Sequence, residues 1–170
     1  MKAIRSTKGA SVGTVPNGSQ GPGENGVRLG PLVDMIGFNL RLAQSASFRA
    51  FARSVGRRGV KVGHFAALTL IHRNPGISPI VLGRAIARDK STVTPLIQHM
   101  EKRGLIRRQQ SRTDRRSVRL TLTAAGESMR RDLMVRAAAH DRRLDEIIGA
   151  RKAEFLALLR RISDGLGREE

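Results

Sequence analysis

Residues Ser91–Thr123 read STVTPLIQHMEKRGLIRRQQSRTDRRSVRLTLT, and two changes of pattern inside this run decide the architecture. At its start Val93, Leu96, Ile97 and Met100 fall at i, i+3, i+4 and i+7, which places four apolar groups on one stripe of a helix. The spacing predicts a helix over about Lys90 to Arg103, closed by Gly104 at the position where a left-handed glycine ends a helix. At its end Val118, Leu120 and Leu122 alternate with Arg119 and Thr121, the period of a half-buried strand. Two strands are therefore expected, Leu105–Gln110 and Ser117–Leu122, joined by an arginine-rich tip. Within the tip Asp114 can hold the turn by accepting from nearby N–H groups or from Arg116, which leaves Arg112 or Arg115 free to extend outward.

Working outward, Ser78-Pro79 reads as an N-cap followed by proline in a first turn, opening a short helix over Ile80, Leu82, Ala85 and Ile86. Arg88-Asp89 is expected to be the turn into the next helix. Before it, Phe65, Leu68, Thr69 and Ile71 give a second helix that Asn74-Pro75-Gly76 must stop. A long first helix is expected from Pro31 to about Val55, carried by Leu32, Val33, Ile36, Leu40 and Ala43, with a basic break bracketed by Gly56 and Gly59. Downstream, Thr123 caps a fifth helix running towards Ile148, and Phe155, Leu158, Leu159, Ile162 and Leu166 support a sixth. Residues 1–30 hold too few large apolar groups to offset the entropy of ordering and read as a flexible basic tail. Lys2, Arg5 and Lys8 there suit either a phosphate-brushing arm or a solvated leader.

The chain has 170 residues, one domain's worth, and 39% hydrophobic content, which fits a globular class. Its 32 Lys+Arg against 14 Asp+Glu leave a formal charge of +18, a strong attraction towards polyanions. No apolar stretch is long enough for a membrane span and the start lacks a signal-peptide centre, so the cytoplasm is the expected location and no membrane partner is expected. With no cysteine, disulfides and thiolate metal sites are excluded. His64, His72, His99 and His140 form no metal-ligand spacing, so neither a metal nor a cofactor is expected. Ser91, Ser117 and Ser128 lack a nucleophile-elbow context, which argues against an enzyme with catalytic residues. Aromatic residues are only 3%, too few for a protein that grips single strands by stacking bases.

Opposite its apolar stripe the 90–103 helix presents Lys90, Ser91, Thr92, Thr94, Pro95, Gln98, His99 and Lys102. Hydroxyls and a carboxamide suit base edges, and lysine suits phosphate. Two short helices joined by a tight turn, the second one amphipathic, form a helix-turn-helix, and the strand pair behind it makes the winged variety. Duplex DNA is the expected partner, with the helix in the major groove and the tip residues Arg112, Asp114, Arg115 and Arg116 at the adjacent minor groove. The competing reading is a non-specific architectural protein, for which charge alone would suffice.

Two motifs carry a family resemblance. Asp114–Gly126, reading DRRSVRLTLTAAG, resembles the wing signature of MarR-type winged-helix regulators. Asp89–Thr94 followed by Glu101–Ile106 is similar to that family's recognition helix and exit. The resemblance spans roughly Leu32 to Ile162. Its implications are a mainly α fold with a small β-wing, six helices, and a homodimer built by the first, fifth and sixth helices. They divide residues 31–170 into dimerisation helices at 31–55 and 123–167 and a DNA-binding lobe at 63–122. An effector pocket between these regions is implied as well. Pro95 departs from the pattern, standing where similar proteins commonly have a basic residue. The terminal apolar faces independently favour pairing, and a two-fold dimer implies a pseudo-palindromic operator.

The resemblance further suggests a ligand-released repressor of aromatic-acid catabolism or efflux genes. Its effector would be a small anionic aromatic acid or its coenzyme A thioester. Phe38, Phe48, Phe51 and Phe65 supply rings for such a site, and Arg41, Arg49, Arg53 and His64 could meet an anion. Burial statistics favour the competing reading, in which the phenylalanines are plain core and the arginines a solvated face.

Overall fold

The expected first helix is split. In the computed structural model, which describes residues 27–56, 62–110 and 118–167, a 3-10 helix spans Gly30–Asp34. Met35 is then extended at φ −81°, ψ 121°, and helix α1 follows as Ile36–Val55. The break has a local cause: the Asn39 carboxamide donates to the carbonyls of Val33 and Met35, both at 2.9 Å, offering that backbone an alternative to a continuing helical ladder. The chain parts within α1 into two compact units, Met1–Ala43 and Gln44–Glu170.

The second unit holds the remaining elements: α2 (Val62–Arg73), α3 (Pro79–Ala85), α4 (Lys90–Lys102), β1 (Ile106–Gln110), β2 (Val118–Leu122), α5 (Ala124–Ile148) and α6 (Lys152–Leu166). Six α-helices and one two-stranded sheet among the described residues make the expected mainly α winged helix-turn-helix. Capping chemistry sets the boundaries. Ser78 Oγ accepts from Val81 N at 3.3 Å to open α3, and Thr123 Oγ1 accepts from Gly126 N at 3.0 Å to open α5. Asn74-Pro75-Gly76 follows directly on α2, and Gly104, at φ +65°, lies just past the end of α4.

The strands are antiparallel, with Ile106 opposite Leu122 and Gln110 opposite Val118. A further bridge joins Ile77 to Leu120: Leu120 N donates to Ile77 O at 3.0 Å and Gly76 N donates to Leu120 O at 2.8 Å. The wing is thus stitched to the turn before α3, a pairing the sequence pattern around Ile77 does not announce.

The core of this unit gathers Ala67, Leu68 and Ile71 of α2, Leu82 of α3, Leu105, Ile106 and Leu120 around the sheet, and Leu133 of α5. Against them lie the four stripe residues Val93, Leu96, Ile97 and Met100, all buried. Burying each large side chain contributes roughly 1.5–3 kcal/mol, so this stripe alone fixes which face of α4 looks outward. In α6 no residue is buried, and Phe155, Leu156, Leu158 and Leu166 stay exposed together with Val135 and Ile147 of α5.

Candidate nucleic-acid interface

With its stripe buried, α4 turns Lys90, Ser91, Thr94, Pro95, Gln98 and Lys102 to solvent, while Thr92 and His99 are half-buried. The helix opens on Asp89, whose carboxylate accepts from Thr92 N at 2.8 Å and from Ser91 Oγ at 2.6 Å. Those two donors, the Ser91 hydroxyl first, hold the Asp89 carboxyl below its usual pKa. Sequence reading placed Asp89 in a turn; it is the N-cap, and the signal was present in an acid standing just before a helical stripe. Because the Ser91 proton is committed to Asp89, its hydroxyl is left chiefly as an acceptor. Pro95 sits inside one continuous α4 and cannot donate to the carbonyl of Ser91 four residues earlier, so the helical ladder lacks that bond.

His99 is turned partly inward, its ring stacked on that of fully buried His64 at 5.1 Å and 6°. His64 therefore belongs to the packing between α2 and α4. Arg84 and Arg88, not singled out by sequence, join Lys90 and Thr94 around a cleft of about 410 Å³ between α3 and the start of α4. The turn between these helices passes through Ala87, a non-glycine residue at φ +50°.

On the wing, Arg107 lies opposite Thr121 and Gln109 opposite Arg119, so these four side chains share one face of the ribbon. Arg107, Gln109 and Arg119 are exposed. The tip residues Arg112, Asp114, Arg115 and Arg116 lie outside the described residues.

A second cavity, about 480 Å³, is lined by Phe48 and Phe51 of α1, Phe65 and Ala66 of α2, and Met134, Ala137 and Ala138 of α5; Ser47, His140 and Asp141 complete its walls. Of the eight residues expected at an effector site it gathers three, Phe48, Phe51 and Phe65. Arg49 and Arg53 are exposed elsewhere on α1 and His64 is in the core. Phe38 and Arg41 belong to the first unit, where the guanidinium lies 5.5 Å from the ring centroid. Residues from α5 were missed because they reach the cavity only through tertiary packing. Towards the other end of α2, that helix and α5 are tied by His72 and Glu127, Nδ1 to Oε1 at 2.6 Å, with Arg130 donating to the same carboxylate at 3.1 Å. The bond from His72 is the main reason that the Glu127 carboxyl titrates below its usual range.

Among the described residues no group of three or more metal-ligating side chains occurs, and no helix is long and apolar enough to cross a membrane.

Comparison with known proteins agrees with this geometry. The MarR family model matches residues 61–118. A protein named for transcriptional regulation of the hcr operon in Thauera aromatica is 39% identical over 57% of this chain, a match that spans 59% of that protein, less than two thirds of its length. The Escherichia coli transcriptional regulator HosA is 31% identical over 58% of this chain and 73% of its own. The solved structure of the transcriptional repressor CouR on a 23-mer DNA duplex superposes with a TM-score of 0.74 at 27% identity, covering 81% of this chain and 98% of that one. The recognition helix, the two-stranded wing and these likenesses together assign the chain: it belongs to the MarR family of transcriptional regulators.

Proposed function

We propose that this chain is a sequence-specific duplex-DNA-binding regulator that works as a homodimer and leaves its operator when a small aromatic molecule binds. The observation that carries the reading is the outward face of α4, where Thr94, Gln98 and Lys102 stand clear of the buried stripe and Thr94 shares a cleft with Arg84, Arg88 and Lys90. Short polar groups flanked by cations are what base-edge reading with phosphate positioning requires. CouR, alike over nearly its whole length, is held on a duplex of about two helical turns, the span that two half-sites roughly 10 base pairs apart occupy.

The uncovered apolar residues of α5 and α6 support pairing through 123–167, together with 31–55, and leave 63–122 as the DNA-binding lobe. In this reading Arg112, Asp114, Arg115 and Arg116 serve the minor groove and the protein acts in the cytoplasm, where its operator lies. The aromatic-lined cavity beside α1, α2 and α5 is the effector site. A ligand favouring one arrangement of the dimer lowers DNA affinity by its coupling, typically about 5- to 150-fold. Aromatic-acid breakdown or efflux genes are the class of target this predicts.

Footprinting on the DNA upstream of its own gene, followed by competition with bulk DNA, tests the proposal. A regulator prefers one fragment by roughly 10³-fold or more. The +18 charge also fits a non-specific coating protein, and equal affinity for all duplexes would establish that reading instead.

A further inference from the structure

The effector cavity is built for a particular ligand chemistry, and that chemistry is not the anionic one the arginine-rich sequence suggests. Its walls are chiefly the rings of Phe48, Phe51 and Phe65, the Met134 side chain and alanines. Phe51 and Phe65 are tilted at 49° with centroids 6.2 Å apart, and His140 lies 5.7 Å from Phe51 at 59°, so the pocket already uses edge-to-face packing that another flat ring can extend. At about 480 Å³ it lies within the roughly 300–1,000 Å³ of small-molecule sites.

Polar atoms enter at one side only. Ser47 Oγ and His140 Nε2 are 2.9 Å apart, and Asp141 follows His140 on the same wall. Among the described residues lining the cavity there is no lysine or arginine. The Lys152 ammonium is 3.5 Å from Asp141 but 2.6 Å from Asp145, and the Asp145 bond is the main cause of its raised pKa. That cation is already shared by two carboxylates of its own chain.

A carboxylate ligand entering here would exchange water for apolar walls and sit beside Asp141, a like charge, with no guanidinium among the described lining residues to compensate. A hydroxyl faces neither penalty. Asp141 accepts its proton, and its oxygen accepts from the Ser47 hydroxyl when the His140 ring donates to Ser47.

We propose that the cavity takes an uncharged aromatic molecule carrying a hydroxyl group, held by the three phenylalanines and by Ser47, His140 and Asp141, and discriminates against aromatic carboxylates. The assignment of ligand class rests on the effector reading above only for its consequence, release of DNA.

The test uses the full chain and two probes that share ring and hydroxyl and differ in charge, 4-hydroxybenzamide and 4-hydroxybenzoate, with benzamide as the hydroxyl-free control. Calorimetry at neutral pH should show the hydroxybenzamide binding at least tenfold tighter than the acid and severalfold tighter than benzamide. Ser47→Ala should erase most of the advantage over benzamide. Asp141→Asn should narrow the amide-to-acid ratio by raising affinity for the acid. Equal or tighter binding of the acid to the unaltered protein overturns the proposal, as does binding of neither probe at millimolar concentration. DNA release is read separately, on the footprinted fragment: hydroxybenzamide that binds but leaves DNA affinity unchanged supports the ligand class and refutes the effector role. An acid that both binds tighter and releases DNA does the reverse.

Discussion

Replacing Gly126 by alanine should cost this protein a large part of its stability, and the reason lies in one close approach. Gly126 is buried in the first turn of α5, against the backbone where α4 leads into β1. A Cβ built there would lie 3.0 Å from the carbonyl carbon and 3.4 Å from the Cα of Leu105, and would overlap the Leu105 oxygen outright. The obstacle is backbone, so no rotamer change relieves it; α5 must move away. That movement pulls on bonds holding the helix start to the same segment: Thr123 N to Leu105 O at 3.1 Å and Thr123 Oγ1 to Gly104 O at 2.6 Å. Two such bonds are worth about 0.5–1.5 kcal/mol each, and forcing an extra carbon into a packed site costs about 1–3 kcal/mol, so the expected loss is roughly 2–6 kcal/mol. Against a total of about 5–15 kcal/mol, this is enough to leave the variant partly unfolded at moderate urea. Urea unfolding followed by circular dichroism measures it, with Ser128→Ala, at an exposed site on the same helix, as a control expected within about 0.5 kcal/mol of the original. A Gly126→Ala variant within about 1 kcal/mol of the original, at unchanged denaturant slope, would refute the claim that this contact is rigid.

Other outcomes follow from the placement of single groups. Gln98→Ala should relax sequence choice, costing about 1–3 kcal/mol at the operator while leaving affinity for bulk DNA nearly unchanged; an equal loss on both removes Gln98 as a base reader. Arg84→Ala and Arg88→Ala should weaken all duplexes alike and each reduce the slope of log affinity against log salt by about 1, read from titrations across salt. Ala87→Gly should stabilise the fold by about 1 kcal/mol, because φ +50° strains an L side chain and not glycine; destabilisation by chemical denaturation would contradict this. The Asp89 carboxyl titrates below its ordinary value of 3.8, so the stability it adds is complete above that pH and fades as pH falls through the lowered folded value. The gap in Tm between the original and Asp89→Ala should therefore be full at pH 5–7 and close below about pH 4, and a gap that persists in acid would assign the effect to something other than the charged cap.

The parts of this fold legible in sequence were those set by neighbours within one turn. Val93, Leu96, Ile97 and Met100 repeat at helical spacing, and all four are buried; Ser78, Thr123 and Gly104 are boundary residues whose function is local, and each stands where its chemistry predicts. The readings that needed correction depended on contacts between segments or on competition within one. Pro31 opens a helix as expected, yet the carboxamide of Asn39 captures two carbonyls and splits it. Ile77 pairs with Leu120 across more than forty residues, a relation no periodicity encodes. His64 carries a charge-capable ring and looked suited to an anion, but its place on the inner side of α2 buries it against His99. The cavity illustrates the same limit: Phe48, Phe51 and Phe65 were visible as aromatic residues near one another in sequence, whereas Met134, Ala137, Ala138 and Asp141 join them only because α5 folds back over α2.

That folding back also supplies a physical route between the two candidate sites. Helix α2 places Phe65 and Ala66 in the cavity wall, while its preceding residue His64 points into the core and stacks flat on His99 of α4. Successive residues on a helix point about 100° apart, so one rigid element presents adjacent side chains to the ligand and to the recognition helix. A packed interior transmits displacement instead of absorbing it, and α2 is held to α5 at its far end by the His72–Glu127–Arg130 cluster. An occupant that fits between Phe65 and Met134 in only one setting of α2 against α5 therefore selects a setting of α4 as well. One that fits both settings equally shifts nothing, however tightly it binds. Coupling by this route depends on the shape of the ligand against the α2 and α5 walls, whereas its affinity depends on the polar edge formed by Ser47, His140 and Asp141. The two properties are carried by different side chains of one pocket, so ligands that share a hydroxyl but differ in width should bind alike and differ in how far they release DNA.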